Sequence, residues 1–575
     1  MKKLINDPKR VVPEMLEGLV AINPSLALLY DETVIVRSDL KTWREEARVA
    51  VISGGGAGHE PAHAGYVGQG MLTAAVSGDV FTSPSADSIL ETIQACATKA
   101  GVVLVVKNYT GDRLNFGLAA ELARSEGIPV EIVVVADDAS FETRHGSVDE
   151  RRGIAGTVLV HKVVGAAAAA GLNLRDVKAE GDRAAAALGT VGVALSGCTV
   201  PAVGKPGFEL PADEIEFGLG IHGERGTHRS ALGRADEIAA QLTSRLVEDL
   251  ALGKASRIVL LVNNLGGTPL MELAIVARST MRQLHSLGVC IERAWCGTFL
   301  TAIDMIGCSL SIMKVDSGRL ARLDAPSSAP AWVATPATTI EGAVRRVSIP
   351  TPRRPPDRAS SAGPSQIPFL GIALHGVATA LLAAETRLTA LDQAAGDGDL
   401  GISMSRAAHA ILADLDRLSA EPVATALGNL SQLLRRAIAG SSGPFYAVGL
   451  SRAVAALKQT GPSPLMWATA FESGCNAIAE LGSAARGDRT MLDALYPGAE
   501  AFRAALQSGA PWTEALASAA LAAEDGARKT AKLLPRRGRS RYLGERAIGL
   551  PDPGAEAVAV WLKAIAGAAS DFPSA

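Results

Sequence analysis

The sequence RVAVISGGGAGHEP, residues 48–61, decides how the first half of the chain folds. Its first five residues, Arg48 to Ile52, form a short β-branched run that predicts a buried strand. A glycine-rich turn, Ser53 to Pro61, follows, and its glycines let backbone N–H groups approach a ligand closely. Similar runs alternate with Ala-rich helical stretches, which predicts α/β units with parallel sheet. These runs are residues 102–106, 132–135, 191–195 and 258–262.

A proline-rich segment separates this half from a second half of different texture. Residues 326–367 hold prolines at a density that prevents regular structure, together with Ser and Gly, so we predict an interdomain linker. Residues 8–325 before it are predicted to form an α/β domain of two subdomains, with the break near residue 190. Residues 368–568 after it repeat Ala and Leu at helical spacing, which predicts an all-α domain.

Length and charge exclude several classes of protein. The 575 residues are too many for one hydrophobic core, so two to four domains are expected. Hydrophobic residues make up 48% and charged residues 20% of the chain, which is typical of a globular protein. The net charge of −3 argues against binding to nucleic acid or anionic membranes, which needs a basic surplus.

The spacing of the cysteines and the length of the apolar runs indicate in which cellular compartment the protein is expected. The six cysteines form no CxxC pair and none lies near a His at zinc-finger spacing, so they are interpreted as thiols in a reducing compartment. Residues 1–8 are charged at the start and lead into no apolar core, so no signal peptide is predicted. Apolar runs such as 102–106 are far shorter than a membrane span of roughly 18 residues. The expected location is therefore the cytoplasm.

The glycine-rich turn does not match the common nucleotide-binding motifs. It is not a GxGxxG fingerprint, because the sixth position is His59, and it is not a P-loop, because no GK[ST] follows. A strand-to-turn junction that carries a histidine favours a small polar ligand over a dinucleotide. The alternative is a purely structural turn.

A second polar cluster, KNYTGD at residues 107–112, comes directly after the predicted strand 102–106. The carboxyl ends of parallel strands share one edge of a sheet, where ligands bind. We therefore expect His59 and Asp112 to face the same crevice. The alternative for Asp112 is an N-cap at a helix start, which is common.

The third cluster, GLGIHGERG at residues 218–226, has one histidine between glycines. Such a histidine is more often incidental than catalytic, and a metal site is disfavoured because no second His or Cys lies at ligand spacing. A neutral imidazole is nevertheless a competent nucleophile toward a ketone.

Together with NNLGGT at residues 263–268, these motifs resemble the substrate-binding domain of the dihydroxyacetone kinase family. The resemblance implies that His222 bonds covalently to the substrate carbonyl as a hemiaminal, and that His59 and Asp112 assist. It also implies substrate contacts at Gly55, Gly56, Gly58 and Lys107. Covalent capture suits the chemistry because only a carbonyl can form a hemiaminal, so glycerol is rejected. Capture also fixes a hydroxyl for transfer, and Asp112 would accept its proton as general base.

In the second half, LDQAAGDGDLG at residues 391–401 places three carboxylates within eight residues. Like charges this close need a hard cation, and Mg²⁺ with nucleotide phosphates meets that need. The alternatives are a solvated acidic turn, or an EF-hand, which is disfavoured because its closing Glu is missing.

This stretch resembles the nucleotide-binding domain of the same family, which is an antiparallel helical barrel. The resemblance implies Mg²⁺ ligands at Asp392, Asp397 and Asp399. The implied ATP contacts are Leu400, Gly401, Ile402, Ser403, Ser441, Ser442, Gly482, Met491, Arg539, Asp552, Pro553 and Gly554. The basic run 536–541 could suggest nucleic acid, but the net charge and the lack of interleaved aromatics argue against it.

The resemblance implies a cytoplasmic, homodimeric enzyme that transfers phosphate from Mg-ATP to a terminal hydroxyl of dihydroxyacetone, or of glyceraldehyde. The two sites must meet within one chain or between swapped chains. Three alternatives stay open: a kinase for a four-carbon ketose such as erythrulose, a non-catalytic ketose-sensing regulator, and a lyase side activity on a flavin nucleotide. Two departures from the family pattern, Leu400 and Arg225, affect the loop after Asp-Gly-Asp and the choice of ketose.

Overall fold

The computed structural model of the chain describes residues 2–29, 32–141, 151–335, 340, 368–396, 398–438, 440, 442–459 and 463–572. The chain divides into two compact units, Met1–Ser348 and Ile349–Ala575. The division falls inside the segment 326–367, for which the sequence predicts a linker.

The first unit contains two six-stranded sheets, and the first sheet carries the glycine-rich turn. Its strands are β1 (Leu26–Leu28), β2 (Val34–Arg37), β3 (Ala50–Ala57), β4 (Ala74–Val80), β5 (Val102–Lys107) and β6 (Val130–Val135). Their order is β1-β2-β4-β3-β5-β6, in which β4, β3, β5 and β6 run parallel. The helices of this part are α1 (Val11–Ile22), α2 (Leu40–Glu45), α3 (Ala86–Cys96), α4 (Thr110–Ser125), α5 (Thr157–Ala169) and α6 (Leu174–Ala186).

Strands β3 and β5 are buried along their whole length because helices cover both faces of the sheet. Val51 and Val103 join the core on one face, whereas Ile52 and Leu104 join the core on the other. This alternation is the two-residue period of a strand, and full burial explains why both strands consist of apolar residues and glycine except at Ser53 and Lys107. Because β3 and β5 are parallel neighbours, the loops that follow them meet at one edge of the sheet.

The second sheet is built from β7 (Leu188–Ala194), β8 (Glu214–Phe217), β9 (His228–Ala231), β10 (Arg257–Asn264), β11 (Cys290–Gly297) and β12 (Gly307–Lys314). Its order is β11-β10-β12-β7-β8-β9. The helices that accompany it are α7 (Ala235–Asp249), α8 (Leu270–Ser286) and α9 (Ser317–Asp324).

The prediction of parallel sheet is wrong for most of this second sheet. Only β10 and β11 run parallel, while β12, β7, β8 and β9 pair antiparallel with their neighbours. The reason lies in the connections. Residues 195–213 and 298–306 contain no helix, and a chain without a crossover helix returns in the opposite direction.

The first residues of the predicted linker pack against the first unit. Ser328 N–H donates to the carbonyl of Gln69, and the Trp332 ring lies 5.2 Å from the ring of Trp295. Ala329 and Trp332 are buried, and their apolar side chains belong to the hydrophobic core of the first unit. The density of prolines in this segment does not indicate which of its apolar side chains are buried against the first unit.

The second unit is helical throughout its described residues. Its helices are α10 (Phe369–Ala395), α11 (Leu400–Ala413), α12 (Leu415–Ala420), α13 (Val423–Ala437), α14 (Ser442–Gln459), α15 (Pro464–Gly482), α16 (Leu492–Gln507), α17 (Trp512–Lys529) and α18 (Pro553–Ser570). Apart from the short α12, each helix packs on the next around a ring, and α18 packs on both α17 and α10, which closes the ring. The predicted architecture, an α/β half followed by an all-α barrel, is confirmed.

Helix α10 is the one helix in the described ranges that is long and apolar enough to cross a membrane by length and composition. It is also part of the closed ring. Ala378, Leu381 and Leu388 are buried in the core that α10 shares with α11 and α13. A core helix of a bundle passes the same composition test, so this finding by itself is only weak evidence for a membrane span.

Candidate functional site

In the first unit, the end of β5 and the start of α4 meet β3 at Gly55. Strand β3 continues to Ala57, so the turn begins later than Ser53, where the sequence predicts it. A β-carbon on Gly55 would lie 3.0 Å from Lys107 Nζ and 3.5 Å from Asp112 Oδ2. Both side chains are buried, and Asp112 accepts a hydrogen bond from the Ser83 hydroxyl. The absence of a side chain on Gly55 thus leaves space beside an amine and a carboxylate.

The Lys107 amine is the unusual group of this cluster. Its Nζ is buried and has no hydrogen-bond partner among the described residues. Burial lowers the pKa of Lys107, although the negative charges of Asp112, Glu224 and Asp137 oppose the shift. A buried donor without a partner is costly, so a ligand oxygen at this position would satisfy it.

The His59 ring is a neutral base whose lone pair is free. Its Nδ1 lies 2.8 Å from the carbonyl oxygen of Thr301, and since a carbonyl only accepts, Nδ1 carries the proton. The lone pair is therefore on Nε2, which is buried without a partner in the described part of the chain. Burial, and then the charges of Lys107 and His222, hold the pKa of His59 well below its usual range.

The loop between β8 and β9 presents His222 with one ring nitrogen occupied. His222 Nδ1 lies 2.9 Å from Glu224 Oε1, and the His222 backbone N–H donates to Glu224 Oε2 at 3.0 Å. Burial alone would raise the pKa of Glu224, but the hydrogen bond and charge of His222 lower it to about 2. The carboxylate is therefore ionised and accepts the Nδ1 proton, so in the neutral imidazole the lone pair lies on Nε2.

Three aromatic rings surround His222. The ring centroids of His59, Phe81 and Tyr109 lie 4.9, 5.2 and 4.6 Å from that of His222. Phe81 also stacks on His59 at 5.2 Å. Sequence reasoning gave no role to Phe81, Tyr109 or Glu224. Tyr109 and Glu224 stand inside the quoted motifs, where they could have been singled out, but Phe81 carries no local signal.

Arg152 ties the His222 loop to the first sheet. Its Nη2 donates to the carbonyl of Gly218 at 2.6 Å, and its Nε donates to the buried Asp138 at 2.7 Å. Asp138 follows β6, whereas Gly218 follows β8, so the arginine fastens loops of both sheets together. Arg225, which the sequence marks as a departure from the family pattern, has an exposed side chain.

In the second unit, the helix ends on one side of the ring enclose a cavity of about 300 Å³. Two predicted metal ligands, Asp392 and Asp399, line it. Many of the predicted nucleotide contacts also line it, and these are Leu400, Ser442, Gly482, Met491, Asp552, Pro553 and Gly554. Gly401, Ile402 and Ser403 do not line it. Gly401 instead packs on α10, where a β-carbon would lie 2.3 Å from the carbonyl oxygen of Glu385. Ser441 and the side chain of Arg539 lie outside the described part of the chain.

Two of the three predicted metal ligands face this cavity. Asp392 is buried and accepts the Leu400 N–H at 3.1 Å, and Asp399 is exposed to the cavity. Neither carboxylate has a cationic side chain within 4.0 Å among the described residues, and such oxygens suit Mg²⁺. Asp397 lies outside the described residues. Within the described ranges, no three His, Cys, Asp or Glu side chains are grouped to hold a metal.

Arg489 is a cavity residue that was not singled out from the sequence, although Met491, two positions further on, was predicted as a nucleotide contact. Its side chain is fully buried, and its Nη2 donates to the carbonyl oxygens of Ala547 and Leu550, while Nε and Nη1 find no partner among the described residues. Arg537 and Phe445 also line the cavity. Arg537 belongs to the basic run, for which we predicted a contact only at Arg539.

Asp552 caps the N-terminus of α18 and faces the same cavity. Its Oδ2 accepts the Ala555 N–H at 2.9 Å. Burial raises the pKa of Asp552 to about 6, against the lowering effects of that hydrogen bond and of Arg489. The folded chain therefore keeps the proton on Asp552 at pH values where the unfolded chain has released it.

This shift predicts that stability falls as the pH rises from about 4 to about 6. The Asp552→Asn variant keeps the capping acceptor but has no proton to lose. We expect it to match the wild type near pH 4 and to exceed its free energy of unfolding above pH 6, by up to about 3 kcal/mol. Urea unfolding of the full chain at both pH values measures this difference.

The matched control is Asp571→Asn, at the exposed C-terminal end of the same helix. Its free energy of unfolding should differ from that of the wild type by the same amount at both pH values. Equal stability of Asp552→Asn and the wild type at pH 7 would contradict the buried, proton-retaining environment of Asp552.

Comparison with known proteins agrees with this arrangement of two units. The Dak1 domain matches residues 17–331, and the DAK2 domain matches residues 394–567. The human protein named triokinase/FMN cyclase is 44% identical over 574 residues, 98% of this chain and 98% of that protein. The D-erythrulose kinase of Mycolicibacterium smegmatis is 36% identical over 580 residues, 98% of each chain.

A solved structure matches over the same extent. The crystal structure of the dihydroxyacetone kinase from C. freundii in complex with AMP-PNP and Mg²⁺ shares 35% identity, with a TM-score of 0.63. The match covers 98% of this chain and 99% of that chain. With both domains in one chain and full-length relatives above 30% identity, the chain belongs to the dihydroxyacetone kinase family.

Proposed function

We propose that the chain is an ATP-dependent kinase that phosphorylates a terminal hydroxyl of dihydroxyacetone while His222 holds the ketone carbon covalently. The observation that carries the proposal is the contact between His222 Nδ1 and the Glu224 carboxylate at 2.9 Å. Glu224 occupies Nδ1, so the nucleophilic lone pair lies on Nε2, next to the His59 ring. We further infer a cytoplasmic homodimer that uses Mg-ATP, as the family resemblance implies.

In the proposed capture step, His222 Nε2 attacks the ketone carbon and the π electrons of the C=O bond move to oxygen. The imidazole ring gains a positive charge, which the ionised Glu224 balances at 2.9 Å. The ketone oxygen takes a proton from the Lys107 ammonium. Burial lowers the pKa of this group, and it has no hydrogen-bond partner among the described residues. Release of the product reverses these steps.

In the proposed transfer step, Asp112 accepts the proton of the substrate's terminal hydroxyl. The hydroxyl oxygen then bonds to the γ-phosphorus of ATP, the bond from that phosphorus to the bridging oxygen breaks, and ADP leaves. The cavity of the second unit would hold the nucleotide. Bound at Asp392, Asp397 and Asp399, Mg²⁺ would neutralise charge on the phosphate oxygens.

The alternatives differ in what they require of the second unit. A ketose-sensing regulator needs no nucleotide cavity bordered by unpaired carboxylates, so the retained Asp392 and Asp399 disfavour it. A kinase for erythrulose needs the same machinery and a longer ketose pocket, and one full-length relative is named a D-erythrulose kinase. A flavin-nucleotide activity is the second candidate, because the human relative is named triokinase/FMN cyclase.

A coupled ADP-release assay tests the proposal across dihydroxyacetone, glyceraldehyde, both erythrulose enantiomers and glycerol. We expect turnover with dihydroxyacetone and none above background with glycerol, since glycerol has no carbonyl to capture. Turnover of glycerol at a comparable rate would overturn covalent capture. A parallel incubation with a flavin nucleotide, followed by chromatography for a cyclised product, tests the second candidate.

A further inference from the structure

We propose that Phe81 limits the length of the ketose that the site accepts and so selects three-carbon over four-carbon substrates. The inference rests on the proposed function, because it assumes that a ketose binds at His222. It goes further by naming a residue that bounds the substrate beside Gly58, whereas Asp112 lies beside Gly55.

The backbone at Phe81 is strained. Its φ is +61°, in the left-handed region that bulky side chains avoid. Non-glycine residues held in this region are concentrated at functional sites, where the surrounding structure enforces them. Here the unusual backbone places the Phe81 ring against both histidines, 5.2 Å from the His59 centroid and 5.2 Å from the His222 centroid.

The backbone of the loop that carries Phe81 lies close against two glycines of the first sheet, Gly56 and Gly78. A β-carbon on Gly56 would lie 2.5 Å from the Thr82 nitrogen, and one on Gly78 would lie 2.0 Å from the Thr82 carbonyl oxygen. On the other side, Ser83 donates its hydroxyl proton to Asp112. The two glycines and this hydrogen bond hold the loop in place, so the ring acts as a fixed wall.

Phe81 and the polar groups border different parts of the site. Lys107 and Asp112 lie against Gly55, whereas the Phe81 ring lies against Gly58, where a β-carbon would come within 2.9 Å of Cε1. A ketose bonded through its carbonyl carbon has two arms. If one arm presents its hydroxyl to Asp112, the other extends toward Phe81. Dihydroxyacetone has one carbon in that arm, but erythrulose can place two there, and the second meets the ring.

The test compares kcat/KM for L- and D-erythrulose with that for dihydroxyacetone in the wild type, Phe81→Leu and Phe81→Ala. We expect the wild type to favour dihydroxyacetone, and the ratio of erythrulose to dihydroxyacetone to rise at least about tenfold in Phe81→Ala, with a smaller rise in Phe81→Leu. The matched control is Phe208→Leu. Phe208 packs in the same apolar cluster but makes no ring contact with either histidine in the described chain, so its ratio should stay at the wild-type value.

Two results would overturn the inference. One is a proportional change in kcat/KM for both substrates, which leaves the ratio of erythrulose to dihydroxyacetone unchanged. The other is a wild-type preference for erythrulose. Melting temperatures of all variants, and AMP-PNP binding, show whether the chain is folded, and Phe81→Leu keeps the test valid if Phe81→Ala is unstable. Failure of the proposed function is a separate result, in which the wild type turns over neither ketose.

Discussion

Replacing His222 with alanine is expected to reduce ketose-dependent ATP turnover at least about a thousandfold, because the variant has no lone pair to attack the carbonyl. The fold should survive. The His222 side chain is 21% exposed and its loop is held by Arg152 through the carbonyl of Gly218. We therefore expect a melting temperature close to that of the wild type and unchanged AMP-PNP binding in the second unit.

A direct measurement of capture accompanies the rate assay. Dihydroxyacetone labelled with ¹³C at its carbonyl should lose its ketone signal on binding to the wild type and show a tetrahedral carbon instead. The His222→Ala variant should leave the ketone signal unchanged. His228→Ala is the matched control, since His228 is an exposed histidine of the adjacent strand that stacks on Phe217. A wild-type rate in His222→Ala would contradict the covalent role.

Replacing Asp392 with asparagine is expected to weaken the binding of Mg-ATP at least about tenfold, because the proposed Mg²⁺ ligand would lose its charge. Asparagine keeps an oxygen that can accept the Leu400 N–H, so the α10–α11 connection should stay intact. Titration calorimetry with AMP-PNP, in the presence and absence of Mg²⁺, measures the loss. The difference in AMP-PNP affinity between the titrations with and without Mg²⁺ should be smaller in the variant, because the affinity that is lost depends on the metal.

Ketose capture separates this prediction from a general loss of structure. The ¹³C signal of bound dihydroxyacetone should be the same in Asp392→Asn as in the wild type. Asp416→Asn, on the exposed surface of the same unit, is the matched control and should bind Mg-ATP normally. If capture of the ketose vanished in Asp392→Asn, the division of labour between the two units would be wrong.

The strands that carry the first site could be predicted because local sequence specifies them. Residues 102–106 are all apolar because β5 is buried on both faces, and this pattern is visible without any tertiary information. The meeting of Lys107 and Asp112 beside Gly55 follows from the same reasoning, because neighbouring parallel strands end at one edge.

The groups that sequence reasoning missed depend on contacts distant in the chain. Phe81 and His222 are in contact although they are 141 positions apart in the sequence, by subtraction of their residue numbers. The sequence near Phe81 contains no pattern that predicts this contact. Arg489 is similar: it stands beside the quoted Met491, but its burial under residues 547–550 is set by the path of the chain before α18. The direction of β12, β7 and β8 was missed because strand patterns do not report whether a connection crosses over.

The first site draws on both sheets, and this has a consequence for how the chain acquires activity. His59, Lys107 and Asp112 come from the first sheet, whereas His222 and Glu224 come from a loop of the second, fastened by Arg152. A fragment that ends between the sheets has the proposed acid–base groups but lacks the proposed nucleophile. In refolding from denaturant, ketose capture should therefore recover only with the slower of the two sheets, which makes catalysis a late reporter of native assembly.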